Sequence, residues 1–265
     1  MTPDRPDAAV LRAFGVAGVT PVRLDGGRGL TWRAGDVVLR PDDGATVTDW
    51  RAEVLATLAH TPAFRTSRPV ATADGAWRSG GWEAWEHLDA RADPSRVEDV
   101  LDAGRAFHRA IAHLERPSFL DDSASERSGD AWSRADRMAW GELPLPADPT
   151  LARLARAFRP VDLPSQLVHG DLLGNVLFAP GAPPAVIDWP PYWRPAAFGE
   201  AVAVVDAVCW HGKPTARMHT LGHGTADWPQ LLVRALVFRI ATLHLLGAWD
   251  AAAAAHHRPV VDAVT

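Results

Sequence analysis

His169-Gly170-Asp171, Asn175 and Asp188 are the residues whose types and spacing point to chemistry. They fall within one stretch, Leu167 to Trp189, in which short apolar runs flank polar positions. Two carboxylates and an amide oxygen are hard oxygen donors. Such a set suits Mg²⁺ carrying phosphates, with one carboxylate left to accept a proton. Phosphoryl transfer needs those parts and little covalent chemistry from the protein.

The stretch itself reads as strand, loop, strand, turn, strand. Gln166–Val168 leads into the loop, Val176–Ala179 follows Asn175, a Pro/Gly turn spans Pro180 to Pro184, and Ala185–Ile187 precedes Asp188. The loop end and the last strand end place Asp171, Asn175 and Asp188 near one another.

The elements before this stretch form a strand-rich part. Asp7–Phe14 is expected as a helix, and Val22–Leu24, Thr31–Ala34 and Val37–Arg40 as strands. A Gly-rich turn with Gly26, Gly27 and Gly29 joins the first two strands, and such a turn lets backbone N–H groups approach phosphate oxygens. Thr46–His60 is expected as a helix with an apolar stripe of Val47, Trp50, Val54, Leu55 and Leu58. Glu53 lies off that stripe, where it can orient a cation on the preceding strand, Arg40 being the obvious partner. A hairpin over Arg68–Thr72 and Ala76–Arg78 and a strand over Gly81–Leu88 complete this part. Ala90–Pro94 is read as a linker.

A helical part follows. Ser95-Arg96-Val97-Glu98 reads as a capping box opening a helix to about Leu114, with His108 as a core histidine. Pro117–Pro149 is irregular and acidic in places (Asp121, Asp122, Asp130, Asp136, Glu142), a composition that suits a substrate-facing cap and a solvated variable loop equally. A short helix is expected over Ala131–Gly141 and another over Thr150–Phe158. Trp189 to Pro195 is extended. Ala196–Trp210 is an apolar helix holding Asp206, a carboxylate that is costly there unless paired. Asp227 is expected to cap a helix over Trp228–Leu246, and Ala248–Val264 to form an Ala-rich helix interrupted at Pro259.

With 265 residues, 47% hydrophobic and 22% charged, the chain has material for one large domain or two lobes. A net charge of −5 argues against a nucleic-acid or anionic-membrane surface. Of the 27 basic residues all but Lys213 are Arg, and Cys209 is the single cysteine, so no disulfide framework or thiolate metal site is expected. The polar, Pro-broken start lacks a signal-peptide plan, and no apolar run reaches membrane-spanning length. The expectation is a soluble cytoplasmic protein.

The order of these features resembles the aminoglycoside phosphotransferase and choline kinase branch of the protein-kinase-like superfamily, and within it an actinobacterial group. The resemblance spans about residues 20 to 250. Its core is His169-Gly170-Asp171 through Asn175 to Ile187-Asp188-Trp189. It implies an α+β, bilobal protein-kinase-like fold: a small antiparallel-sheet N-lobe with one main helix over residues 1–88, and a mainly helical C-lobe over 89–265. It implies Mg·ATP-dependent phosphorylation of a small-molecule hydroxyl, with no nucleic-acid or membrane partner. Asp171 would be the catalytic base, and Asn175 and Asp188 would hold Mg²⁺. Gly27 and Gly29 would lie over the phosphates. Arg40 would stand in for the strand lysine and Glu53 for its helix partner. Trp85 would be the gatekeeper, with backbone groups of Glu86 and Leu88 meeting adenine. Asp206 would brace the backbone of the His169–Asp171 turn.

The chain departs from the family pattern at three places. The strand cation is Arg40, the third glycine position is Trp32, and only Leu172, Leu173 and Gly174 separate Asp171 from Asn175. These departures define an alternative reading, a nucleotide-binding module with little or no transferase activity.

Overall fold

A computed structural model describes residues 5–25, 29–121 and 129–265, which form two compact units. The first comprises Met1–Ala90 and Ala179–Ala185, the second Arg91–Phe178 and Val186–Thr265.

In the first unit α1 (Ala8–Ala13) starts at Asp7, whose carboxylate accepts from the N–H groups of Ala9 and Val10. Strands β1 (Val22–Arg23), β2 (Trp32–Ala34), β3 (Val37–Pro41), β5 (Arg78–Ser79) and β6 (Trp82–Glu86) form an antiparallel sheet in the order β1-β2-β3-β6-β5. β4 (Arg65–Thr66) lies apart from it and bonds the carbonyl of Pro184. Val10, Leu11 and Phe14 of α1 pack with Ala34, Val37, Leu39, Trp82 and Ala84 of the sheet. Helix α2 (Ala45–Thr57) buries Val47, Thr48, Arg51, Ala52 and Leu55. The expected apolar stripe is therefore rotated: Trp50 is only half-buried and a charged residue, Arg51, lies on the inner face.

The second unit is built on helices. α3 (Val97–Ile111), α6 (Ala196–His211) and α8 (Trp228–Leu245) pack together, α3 on α6 and α6 on α8. α6 and α8 are apolar nearly all round and almost wholly buried, as a central helix must be. α4 (Ala131–Ala139) and α5 (Pro149–Arg156) pack on α8, α7 (Arg217–Leu221) packs on α6 and α8, and α9 (Ala251–Val264) closes the chain. β7 (Arg91–Ala92) pairs with β9 (Val176–Phe178), β10 is Ala185–Val186, and β8 (Ser165–His169) pairs antiparallel with β11 (Pro191–Pro195), Pro191 opposite His169. No helix is long and apolar enough to cross a membrane among the described residues.

Local expectations failed where a tertiary partner won. The Ser95 capping box does not form: Asp93 takes both the N–H and the hydroxyl of Ser95, and α3 starts after Arg96 without a side-chain cap. Asp227 stands at the N-cap of α8 in a left-handed conformation (φ 53°), but its side chain caps nothing there; its carboxylate accepts from the N–H of Asp162. Pro259 does not interrupt α9. Ala90–Pro94, expected as a linker, does hold the boundary of the two units between Ala90 and Arg91, but it also contains β7.

Candidate active site

β8 delivers His169 to the head of the loop, and the loop is held by the second unit's own groups. The N–H of His169 donates to Nε2 of His108 on α3 at 2.9 Å. The N–H of Asp171 donates to Nδ1 of His169 at 3.1 Å, and Nε2 of His169 meets the carbonyl of Ile187 at 2.9 Å. These partners fix both rings as neutral tautomers, His169 with its proton on Nε2 and His108 with its proton on Nδ1. Burial drives both toward neutrality, pushing His108 down to about 3 and His169 to about 4. Trp189 Nε1 donates to the carbonyl of Val168 at 3.1 Å. Gly199 of α6 lies against the same turn, where an added Cβ would stand 2.4 Å from the His169 carbonyl oxygen. Only glycine admits that approach.

The shortened loop still closes on itself. Asn175 Nδ2 donates to the backbone carbonyl of Asp171 at 2.8 Å and to its Oδ2 at 3.2 Å. The amide oxygen of Asn175 is thereby turned away from Asp171. The Asn175 carbonyl accepts from the N–H of Ile187 at 2.9 Å, which puts Asp188 next in line. Asp188 is exposed and adopts φ 51°, a conformation uncommon for a side-chain-bearing residue and found where function holds the backbone. The Asn175 oxygen and the Asp188 carboxylate are two hard donors. No group of three or more His, Cys, Asp or Glu placed to hold a metal ion occurs among the described residues. Two protein oxygens fit an ion that keeps several waters and takes phosphate oxygens, as Mg²⁺ does.

Asp171 has a further partner that the sequence did not announce. Arg239 of α8 donates from Nη2 to Asp171 Oδ1 at 2.5 Å, and from Nε and Nη2 to the two oxygens of Asp206, the Nε bond at 2.8 Å. Burial works against the charge of Arg239, but Asp206 and Asp171 outweigh it and raise its affinity for the proton. Burial raises the carboxyl of Asp206, and the Arg239 fork opposes that rise. The Asp206 carboxylate therefore meets a guanidinium, not the backbone of the turn, and reaches the turn only through Arg239. A lone charge in an apolar helix was the available signal that a partner existed. Arg239 sits in another apolar helix, and spacing alone did not join the two.

The first unit holds a second ionic cluster. Arg40 on β3 donates from Nε to Glu83 directly across on β6. Arg51 of α2 donates from Nη2 to both oxygens of Glu83 at 2.8 Å and from Nη1 to Asp43 at 2.7 Å. Trp85 Nε1 donates to Glu83 at 3.0 Å, with the guanidiniums of Arg40 and Arg51 at 5.7 and 5.8 Å from its ring. Burial pushes the Glu83 carboxyl up, but Arg40 and Arg51 prevail and hold it below the usual carboxylate range. The expected Arg40–Glu53 pair is thus corrected: Glu53 is exposed, and Glu83 takes its place because β3 and β6 are hydrogen-bonded neighbours. Strand alternation was the missed signal, since it puts Glu83 on the same face as Trp85.

At the expected adenine-facing strand end, the N–H of Glu86 donates to the Arg68 carbonyl and the Glu86 carbonyl accepts from Ser67 Oγ at 2.6 Å. Glu86 keeps one carbonyl lone pair for a ligand. The N–H of Leu88 has no partner among the described residues, while its carbonyl accepts from Ala90. Gly29 has φ +66° and its carbonyl accepts from Arg23 Nε at 2.5 Å. Gly27 lies outside the described residues.

Comparison with known proteins places the chain. A family model described as "Phosphotransferase enzyme family" matches residues 23–192. Solved structures share the fold at low identity. A thermostable mutant of aminoglycoside phosphotransferase APH(4)-Ia aligns with TM-score 0.55 at 17% identity, covering 96% of each chain. An amicoumacin kinase solved with AMP-PNP, Ca²⁺ and amicoumacin aligns with TM-score 0.56 at 12% identity, covering 92% of this chain and 87% of that one. Choline kinase LicA from Streptococcus pneumoniae aligns with TM-score 0.56 at 11% identity, covering 93% of each. No curated protein sequence matches the chain.

Proposed function

Because this chain belongs to the phosphotransferase enzyme family, we propose that it transfers the γ-phosphoryl group of Mg·ATP to a hydroxyl of a small molecule. The observation that carries the reading is the closure of Asn175 onto Asp171 across the three-residue gap. It leaves an amide oxygen free for metal beside the one carboxylate suited to take a proton.

In the proposed step the acceptor hydroxyl oxygen attacks the γ-phosphorus. The new P–O bond forms as the bond to the β,γ-bridging oxygen breaks. ADP leaves and the hydroxyl proton passes to Asp171. Asn175 and Asp188 would hold Mg²⁺, which when bound neutralises charge on the phosphates. His169 and His108, both neutral, keep the turn in shape without adding charge. In the first unit Arg40, oriented by Glu83, supplies the cation for phosphate oxygens, and an Arg fork can meet two of them. Gly27 and Gly29 would lie over the phosphates. Leu88 N–H and the remaining Glu86 lone pair would meet adenine, with Trp85 beside them. Glu53 has no part in this arrangement. The amicoumacin kinase bound to AMP-PNP supports nucleotide use by this fold.

The test is thermal unfolding with and without Mg·ATP, paired with turnover on a broad hydroxyl library. Mg·ATP is expected to raise the melting temperature, and Asp188→Ala to remove the metal-dependent part of that rise. No rise with any nucleoside triphosphate and Mg²⁺ would overturn nucleotide binding altogether. A rise without turnover on any hydroxyl would leave the nucleotide-binding module as the reading.

A further inference from the structure

Arg239 does more than neutralise Asp206, and its placement bears on which hydroxyl compounds the site takes. The two oxygens of Asp171 are divided between different neighbours. Oδ2 accepts from Asn175, the residue assigned to the metal, and Oδ1 accepts from Arg239. In an in-line transfer the acceptor enters opposite the leaving bridging oxygen, so the face of Asp171 away from the metal is the acceptor's face. A guanidinium occupies that face.

The guanidinium is not used up by its carboxylates. Nε and Nη2 carry its bonds to Asp206 and Asp171. Nη1 has no hydrogen-bond partner among the described residues, and it is absent from the sealed, unsatisfied atoms of this unit. Its two N–H groups are therefore open to a ligand. Asp206 holds the rest of the group rigid, so the charge cannot swing away when a ligand arrives.

The acidic segment before α5 gives the complementary observation. A polycation would need free carboxylates there, and the described ones are engaged. Asp136 is buried under both Nε and Nη2 of Arg194, and Glu142 meets Nη1 of the same residue at 2.7 Å. Asp130 caps α4 through Ser133, and Asp121 pairs with Arg116 at 2.5 Å. α4, which carries Asp136, packs directly on α8, which carries Arg239.

We propose that Arg239 is the acceptor-selecting residue of this site and that the acceptor is a hydroxy acid, a hydroxyl compound with a carboxylate close to the reacting hydroxyl. This rests on the phosphotransferase reading above. Asp171 takes the proton while Nη1 of Arg239 donates to the acceptor's carboxylate.

The test compares matched acceptors on the full-length protein: glycerate, glycerol and serinol first, then libraries of hydroxy acids, polyols, amino alcohols and aminoglycosides. Two readouts run side by side, ATP-dependent turnover and the melting temperature in Mg·ADP. The second needs no catalysis. Hydroxy acids are expected to exceed amino alcohols in kcat/KM by about 10²-fold, a ratio that Arg239→Gln collapses to under about tenfold. Hydroxy acids alone should raise the melting temperature of the Mg·ADP form. Arg239→Lys should restore part of the preference. The double variant Asp206→Asn/Arg239→Gln removes both buried charges together, which guards against a folding defect.

Preference for cationic or neutral acceptors overturns the proposal while leaving phosphotransfer intact. So does an equal loss on all acceptor classes in Arg239→Gln, which would make Arg239 a positioning residue for Asp171 only. Binding of no acceptor class by either readout also overturns it. Failure of the protein to bind Mg·ATP at all would instead strike the parent reading.

Discussion

The two units each bury a cluster of arginines and carboxylates, built around a shared ion of opposite sign. In the first, Glu83 is shared by Arg40 and Arg51. In the second, Arg239 is shared by Asp171 and Asp206. In the first, two guanidiniums meet one buried carboxylate, with the more exposed Asp43 beside Arg51. The second has a carboxylate, Asp171, in excess over its buried guanidinium. A phosphate calls for the former and a departing proton for the latter. In each case the shared ion is more buried than the partner proposed to act: Glu83 is 2% exposed against 17% for Arg40, and Arg239 is 12% exposed against 41% for Asp171. A small-molecule phosphotransferase needs both signs, and this chain anchors each by the same device.

The comparison breaks most visibly at Asp171. Asp171→Asn is expected to lower turnover by about 10²–10⁴-fold while the Mg·ATP-induced rise in melting temperature persists. Arg239 keeps Asp206, so folding should tolerate the change. Wild-type turnover in this variant would remove Asp171 as the base. Arg51→Met attacks the other cluster through its structural member. Urea unfolding should show a loss of about 3–5 kcal/mol, the cost of stranding buried carboxylate charge. A loss under about 1 kcal/mol would mean that Glu83 is sufficiently held by Arg40 and Trp85.

The clusters also separate by pH. His108 and His169 are held neutral at about 3 and about 4, below the ordinary 6.5. Below pH 6.5 the unfolded chain binds protons that the folded chain refuses. Stability is therefore full above that pH and falls on acidification, by about 1.4 kcal/mol per pH unit for each histidine until its folded value is reached. The Glu83 cluster, with its carboxyl held low, responds only below the carboxylate's ordinary 4.5. Urea midpoints measured from pH 7 to 4 should fall throughout that range, and His108→Gln should flatten the slope by about one proton. An unchanged midpoint between pH 6.5 and 5 would contradict both neutral histidines.

Gly199→Ala tests the turn under Asp171 without altering charge. The added methyl must displace the His169 carbonyl, at about 1–3 kcal/mol of stability by chemical unfolding, with turnover reduced as well. Cys209 supplies the mildest probe. Its thiol is buried in α6 and pushed up to about 12, chiefly by burial. A thiol reagent at neutral pH should label it only as fast as the second unit opens, and rapid labelling of folded protein would show that α6 is loosely held.

Much of the second unit was legible because its signals are local. The His169–Asp188 stretch, the strand before it and the apolar helices α6 and α8 follow from period and turn chemistry. Capping was less legible. Ser95 and Asp227 have the right residue types, yet Asp93 and Asp162 offered competing partners. The face of α2 was misread because a buried arginine looks like a solvated one until its carboxylates are known. The family model ends at residue 192, so Asp206 and Arg239 lie beyond it.

The sequence by itself singled out Asp171, Asn175 and Asp188, the set proposed for metal and proton, since those groups sit within 18 residues and one strand–loop–strand unit brings them together. It also determined that Asp206 needed a partner, because an apolar helix cannot hold a bare carboxylate. Only the tertiary structure decided that the partner was Arg239, 33 residues away, and that the same guanidinium would reach Asp171, 68 residues away. The same holds for Glu83 in place of Glu53, 43 residues from Arg40. With 26 arginines and many carboxylates available, local spacing restricts few pairings. Strand register and helix packing select among them, because a buried charge is tolerated only where a specific neighbour is already fixed.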